Sequence, residues 1–343
     1  MTSTSQSTLP IGGTPPPTSA PAFRHHARPR WSRYIALPLF WLLVMPCSRV
    51  FRRSWPRFVS RGVTRFAGRF PAYEPTSHDV LVCSYFKSGT NWTMQIAVQI
   101  AYRGRAEFEH IHDVVPWPEM PDRVGFAVPL ADGRPQAACP TGLRVIKTHL
   151  ALDAVPYSSA ARYICVVRDP KDVFVSSFHF IRSVALGPAM PSVASWLDTY
   201  LSPDTPHGSW AAHLQSCWRI RDRPNVLFLT YEQMRADLPA AVDKIAALMG
   251  VDLSVEERAA VIAQSTFEHM KKIGNRFDPA GAPWASARGA MMRRGDRGTS
   301  GELISAADQR RIDDYWKSEL RKLGSDFPYD EAFAPASGTS SPP

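Results

Sequence analysis

From about Asp79 onward, the hydrophobic and polar positions switch repeatedly between two periods. Short runs rich in branched and aromatic residues, at Asp79–Phe86, Leu143–His149, Arg162–Val167 and Val226–Leu229, read as strands. Between and after them, apolar residues recur at helical spacing. Asn91–Tyr102 carries Trp92, Ile96 and Ile100 on one face, and Pro170–Arg182, Leu238–Met249, Val255–Gln264 and Ala306–Lys322 also read as helices. Strands alternating with helices predict an α/β domain, with a parallel sheet covered by helices on both faces. We place this single main domain at residues 74–333 and find no internal repeat. Residues 1–22 and 334–343 are rich in Ser, Thr, Pro and Gly without an apolar period, and read as disordered.

Residues 23–73 follow a different pattern. Tyr34–Pro46 is an apolar run of 13 residues containing Pro38. A spanning helix needs roughly 20, so the run is too short to cross a membrane by itself. Its distance from the start and the lack of a small-residue cleavage site argue against a cleaved signal peptide. Arg53, Arg57, Arg61, Arg65 and Arg69 then recur every fourth residue. Phe51, Trp55, Phe58, Val59, Val63, Phe66 and Phe70 interleave with them. On a helix, which Pro56 could start, the aromatic residues would fall mostly on one side and the arginines mostly on the other. Two readings follow: residues 34–70 lie on an anionic membrane surface, or the helix docks on the main domain with a solvated basic face.

Charge changes the picture once it is located. The chain carries a net +9, yet residues 1–73 hold eleven Arg and no Lys, Asp or Glu. Those eleven charges exceed the total, so the remainder carries a net −2. The main domain is not basic, and no nucleic-acid partner is expected. The five cysteines, Cys47, Cys83, Cys139, Cys165 and Cys217, show no CxxC spacing. They form neither a disulfide framework nor a zinc site, and a reducing, cytoplasmic compartment fits them, with the chain peripheral on the membrane face if residues 34–70 bind there.

The first βα junction reads Ser84-Tyr-Phe-Lys-Ser-Gly-Thr-Asn-Trp92. Backbone N–H groups at a helix start point at whatever sits there, and the helix dipole favours an anion. Lys87, Ser88, Thr90 and Asn91 add side-chain donors, which suits a phosphate or sulfate. The nucleotide-triphosphatase order, GxxxxGK followed by Ser or Thr, is absent because Lys87 precedes Gly89. The second strand ends Arg144-Val-Ile-Lys-Thr-His-Leu150. Alternation points Lys147 and His149 the same way, at a strand end where open α/β sheets bind ligands. In Val167-Arg-Asp-Pro-Lys-Asp-Val-Phe-Val-Ser-Ser-Phe-His-Phe180, Asp169 suits an N-cap, Pro170 the first helical turn and Asp172 the positive helix end. Capping does not explain Arg168 or Ser176.

These pieces resemble the cytosolic-type sulfotransferases, whose donor loop has the form PKSGTxW. Here it is Phe86-Lys-Ser-Gly-Thr-Asn-Trp92, with Phe86 in place of Pro. The Lys-Thr-His-Leu run and a pattern of Arg, Asn or Asp, then PKDVxVSxxHF also match. Leu229-Thr-Tyr-Glu-Gln-Met234 is similar to the family's YExM, and Ser265-Thr-Phe-Glu-His-Met-Lys-Lys272 to its TSFxxMKxN. Met291-Met-Arg-Arg-Gly-Asp-Arg-Gly-Thr-Ser300 resembles FxRKGxxGDW, with Thr299-Ser300 where Asp-Trp is usual. The family's KxxxTVxxxE dimer segment is not recognisable, and the oligomeric state stays open.

The resemblance covers roughly Asp79 to Asp326 and implies a P-loop-like sulfotransferase fold. It implies that 3′-phosphoadenosine 5′-phosphosulfate (PAPS) is the donor, held at its 5′ end by Lys87, Ser88, Gly89, Thr90 and Asn91. Lys87 would contact the bridging oxygen and Trp92 would stack on the adenine. Tyr231, Thr266 and Phe267 would complete the adenine slot. Arg168, Ser176, Arg293, Arg294 and Gly295 would hold the 3′-phosphate. The family's catalytic base maps to His149, with Lys87 and Lys147 beside it.

The expected reaction is in-line sulfuryl transfer to a hydroxyl or amine, without a metal. The Pro- and Trp-rich loops Glu107–Pro140 and Ser183–Trp210 suit a small hydrophobic or lipid-like acceptor. A P-loop kinase would need the missing Gly-Lys-Ser/Thr order. A membrane-surface scaffold without catalysis would have no use for Lys87 and His149.

Overall fold

Asp79–Ser84 (β1) is apolar on both sides of its pleat, and both sides are covered. Val80 and Val82 face one core cluster, Leu81 and Cys83 another. Such two-sided burial belongs to a parallel sheet with helices on each face. The other strands are β2 (Arg144–Thr148), β3 (Arg162–Val167) and β4 (Val226–Thr230). All pair in parallel, in the order β2-β1-β3-β4. The chain moves from β1 to one side for β2, then returns across β1 for β3. That reversal puts a topological switch point at the carboxyl end of β1, where such sheets bind ligands.

The computed structural model describes residues 30–66, 70–120, 127–205, 207–279 and 299–333. Both segments expected to be disordered lie outside them, as do Arg293, Arg294 and Gly295. The helices are α1 (Arg30–Leu39), α2 (Met45–Val50), α3 (Trp55–Phe66), α4 (Thr90–Ala101), α5 (Arg134–Ala138), α6 (Pro170–Ile181) and α7 (Val193–Tyr200). They continue as α8 (Trp210–Trp218), α9 (Tyr231–Ala236), α10 (Leu238–Met249), α11 (Val255–Ser265), α12 (Phe267–Lys272), α13 (Ala306–Lys322) and α14 (Tyr329–Ala332). Helices α4, α10 and α11 cover the face of Val80 and Val82. On the other side, Cys217 of α8 meets Cys83 and Cys165 in one cluster, while α6, α7, α8 and α13 build a second.

β1 stops two residues short of the expected Phe86. A turn closes there, with Ser88 N–H donating to the Tyr85 carbonyl at 3.0 Å. At α6, Asp169 caps as expected, accepting from Lys171 N–H at 2.8 Å, and Pro170 is the first helical residue. Helix α6 ends at Ile181 and continues as a wide π turn, Arg182–Leu186, then a short 3₁₀ turn, Gly187–Ala189.

At the amino-terminal end, α1, a wide π turn at Phe40–Val44 and α2 form one helical run. Pro38 and Pro46 each remove a backbone donor on either side of the widened turn. Helix α3 starts one residue before Pro56. The structure docks it on the domain, and Phe58 departs from the expected separation of faces. Trp55 and Val59 turn inward, whereas Phe58 points out and is 68% exposed. Arg57 and Arg61 reach Asp204, at 3.8 and 2.8 Å, instead of lying wholly on a solvated face.

Candidate active site

The turn after β1 carries two left-handed backbones, one on each side of Ser88. Lys87 has φ +65° and Gly89 has φ +97°. A Cβ on Gly89 would lie 2.7 Å from Cδ2 of Tyr231, so the loop can approach the start of α9 only because that atom is missing. Ser84 and Thr90 share a 2.6 Å hydroxyl–hydroxyl hydrogen bond under the loop. Helix α4 then begins with its free N–H groups toward the switch point.

The carboxyl end of β3 supplies Arg168. Its guanidinium lies 4.4 Å from the Tyr231 ring centroid and donates to the Lys87 carbonyl at 3.4 Å and to Asp172 at 3.5 Å. Trp92 meets Tyr231 edge to face, with centroids 5.5 Å apart, and donates its indole N–H to the Ser265 carbonyl at 2.7 Å. That bond ties α4 to the end of α11, just before α12 begins. Thr266 caps α12 there, accepting from His269 N–H at 3.2 Å, and Phe267 next to it is 39% exposed. Ser176 lies two turns along α6, partly covered.

β2 supplies Lys147 and His149. Both touch Trp117: Lys147 Nζ sits 3.4 Å from its ring centroid, and the His149 ring meets it edge-on at 5.5 Å. His149 Nδ1 lies 2.8 Å from the Ser84 carbonyl. A carbonyl only accepts, so Nδ1 carries the proton and Nε2 keeps its lone pair. Burial and the nearby Lys147 and His207 hold the imidazole well below its ordinary pKa, so it is neutral. Burial also pushes the Lys87 amine down to about 7, with help from Arg168. Lys147 is likewise at about 7, lowered by burial and by Lys87, against the pull of Glu119.

Several polar atoms here have no hydrogen-bond partner within the protein. Ser88 Oγ in the loop and Arg168 Nε at the end of β3 are both buried and unpaired. Natural interiors rarely leave such groups orphaned. Ser88 and Arg168 stand at the two strand ends where the sequence places the phosphates of a doubly phosphorylated nucleotide. The donor set of N–H groups, hydroxyls, a guanidinium and two amines fits that anion.

A family model for the sulfotransferase domain matches residues 77–324. The chain belongs to the sulfotransferase family. Sulfotransferase 1C2 of Rattus norvegicus is 28% identical over 263 residues, covering 73% of this chain and 85% of that one. An amine sulfotransferase of Oryctolagus cuniculus is 30% identical, covering 75% and 86%. Among solved structures, mouse sulfotransferase SULT7A1 complexed with PAP, the desulfated donor, matches with a TM-score of 0.57 at 25% identity. That match covers 77% of this chain and 90% of that one. Retinol dehydratase in complex with androsterone and PAP shares the fold at a TM-score of 0.57 and 20% identity. This sulfotransferase is accordingly a PAPS-dependent transferase.

Three residues around His149 and Lys87 were not singled out from the sequence. Glu119 accepts from Trp117 Nε1 at 2.6 Å, from the His149 backbone N–H at 2.9 Å and from Thr148 Oγ1. It therefore fixes the end of β2 on which His149 stands. Phe180 lies under Lys87, whose Nζ is 4.3 Å from the ring centroid. His207, with φ +61°, stacks on Phe86 at 4.3 Å and faces His149 at 5.7 Å. Glu119 and His207 come from loops whose folding no periodicity announces, and Phe180 stands on α6, where periodicity does not say what it meets. The one available signal was an acidic residue isolated in the apolar stretch Val114–Met120. Among the described residues, no group of three or more His, Cys, Asp or Glu is arranged to hold a metal.

Proposed function

We propose that this sulfotransferase moves a sulfuryl group from PAPS to a hydroxyl or amine of a small hydrophobic or lipid-like acceptor. The transfer is in line, without a covalent enzyme intermediate, and His149 is its general base. The Nδ1–H bond from His149 to the Ser84 carbonyl carries this reading, because it leaves Nε2 as the only ring atom able to take a proton. As the acceptor attacks sulfur, its proton passes to Nε2 and the bond from sulfur to the bridging oxygen breaks. Lys87, protonated once the anionic donor is beside it, and Lys147 offset charge on the transferring group and the leaving phosphate. By analogy with phosphoryl transfer, positioning and electrostatics supply most of the acceleration.

In the same reading, Lys87, Ser88, Gly89, Thr90 and Asn91 hold the 5′ end of the donor, and Trp92, Tyr231, Thr266 and Phe267 its adenine. Arg168 and Ser176, with Arg293, Arg294 and Gly295, hold the 3′-phosphate. The buried, unpaired atoms of Ser88 and Arg168 support the two ends of this assignment. Thr266 contributes through the backbone it caps, since its hydroxyl is engaged there. Aromatic rings at Phe86, Trp117, Phe180 and His207 surround His149 and Lys87, which supports an apolar acceptor. The reaction needs no metal, so a chelator should leave it unchanged.

We place the enzyme in a reducing cytoplasm, where the cysteines, all free in the structure, are stable as thiols. Residues 34–70 contact an anionic membrane face, and residues 74–333 form the catalytic domain. The test is a screen of phenols, sterols, long-chain alcohols, amines and sugars with radiolabelled PAPS. Label on a hydrophobic alcohol or amine supports the reading; label only on sugars, or only in free sulfate, contradicts it.

A further inference from the structure

The helical run Arg30–Val50 meets the domain along one narrow edge. Phe40 and Met45 are buried against Ala189, with Val44 and Trp55 packed beside them. Their spacing leaves the rest of the helix surface turned away. Tyr34, Trp41, Leu42, Leu43, Val50 and Phe51 are all exposed, Leu42 by 70% and Val50 by 75%. Scattered apolar side chains on a surface are ordinary, but a contiguous strip of them marks an interaction site. Arg49, Arg52 and Arg53 are exposed beside it, and no acidic residue precedes Glu74 in the chain. No helix among the described residues is long and apolar enough to cross a membrane. An apolar strip edged by arginine fits the interface of an anionic bilayer. A second copy of the chain fits it poorly, because it would bring the same positive charges together.

The arm that carries this strip is tied at two points to chain segments that lead toward His149 and Lys87. Trp55 Nε1 donates to the Ala189 carbonyl at 2.8 Å. Ala189 ends the segment that runs on from α6, whose Phe180 lies under Lys87. Ser60 Oγ donates to the Asp204 carbonyl, and Arg61 Nε pairs with the Asp204 carboxylate at 2.8 Å. Asp204 lies three residues before His207, whose ring faces His149. The same helix, α3, thus grips both chain segments that lead to the acceptor side of His149.

We infer that α1–α3 form a bilayer-docking arm that sets the acceptor mouth against the membrane, so that the physiological acceptor is a bilayer-resident amphiphile with its hydroxyl at the interface. This rests on the transferase reading of the site. It adds that the substrate reaches His149 from the lipid and not from bulk water.

The experiment uses the full chain and the triple variant Trp41→Ser, Leu42→Ser, Leu43→Ser, none of which touches the catalytic residues. Co-sedimentation is measured with vesicles of phosphatidylglycerol and phosphatidylcholine, and with phosphatidylcholine alone. Turnover is measured on a water-soluble phenol and on a long-chain alcohol embedded in the anionic vesicles. Sedimentation velocity reports self-association. Expected are binding to anionic vesicles only and a loss of about tenfold or more in the variant, as removal of three buried apolar side chains implies. Turnover of the embedded alcohol should fall equally, with turnover of the phenol unchanged.

Undiminished vesicle binding by the variant, or an embedded acceptor turned over equally well by both proteins, overturns the inference. So does a dimer that the variant dissociates in a chain that ignores vesicles. Absence of turnover on either acceptor, despite vesicle binding, is instead a failure of the transferase reading.

Discussion

His149 gives its Nδ1 proton to the backbone carbonyl of Ser84, across 2.8 Å. One hydrogen bond between the ends of two neighbouring strands thus selects the tautomer that leaves the Nε2 lone pair available. Replacing His149 by Ala should lower kcat by about 10²–10⁴, the usual cost of losing a general base, and leave PAP affinity unchanged. Steady-state kinetics beside a PAP titration separate the two effects. Equal turnover in the variant would remove His149 from the role.

The depressed pKa of His149 has a visible consequence. A base must be unprotonated to act, and this imidazole stays so to lower pH than an ordinary histidine, whose value is 6.5. The acid limb of kcat/KM, which reports the free enzyme, should therefore lie below 6.5. A limb at or above that value contradicts the buried, neutral state.

Lys87 and Lys147, both at about 7, make donor binding proton-linked. Above that pH a large share of the two amines is neutral in the free enzyme, and a polyanion beside them restores the charge. PAP binding at about pH 8 should thus take up protons, and its affinity should fall as pH rises through 7. Calorimetry in buffers of different ionisation enthalpy reads the uptake directly. Absence of proton uptake on binding would mean the amines are fully charged beforehand.

Gly89→Ala should be severe for its size. The left-handed backbone costs about 1–2 kcal/mol for any residue with a Cβ. The new atom would also strike Tyr231 at 2.7 Å and push that ring from Trp92. A loss of about tenfold in PAP affinity corresponds to the strain alone. A variant that binds PAP as tightly as the parent would show that the loop is not held in this shape.

Glu119 separates positioning from chemistry. Glu119→Ala leaves up to three buried donors unpaired, each costing about 1–3 kcal/mol, so the variant should melt earlier and turn over more slowly. Glu119→Gln keeps an acceptor oxygen for the His149 N–H and should recover most of kcat. If the Gln variant is no better than the Ala variant, the charge beside Lys147 matters more than the clamp.

The strands and the larger helices could be read from the sequence to within two residues, because periodicity and capping are local. Asp169 and Pro170 start α6, and no distant contact was needed to see it. The phosphate-binding chemistry proposed for Lys87–Asn91 was equally local, since a loop before a helix start carries its own donors. Glu119, Phe180 and His207 were not legible. Each matters through a neighbour tens of residues away, and His207 also depends on a left-handed backbone that no glycine marks. The inward turn of Val59 and the pairing of Arg61 with Asp204 were hidden for the same reason: helical spacing shows that a face exists but not what it meets.

The central claim is a pocket that recognises a nucleotide phosphorylated at both the 3′ and 5′ positions. Isothermal titration of the folded protein with PAP, and in parallel with adenosine 5′-monophosphate, tests it most directly. PAP should bind tighter by about tenfold or more, as one charge-assisted phosphate contact implies, and Arg168→Ala should erase most of that difference. No heat with PAP at millimolar concentration, or equal affinity for the two nucleotides, would contradict it.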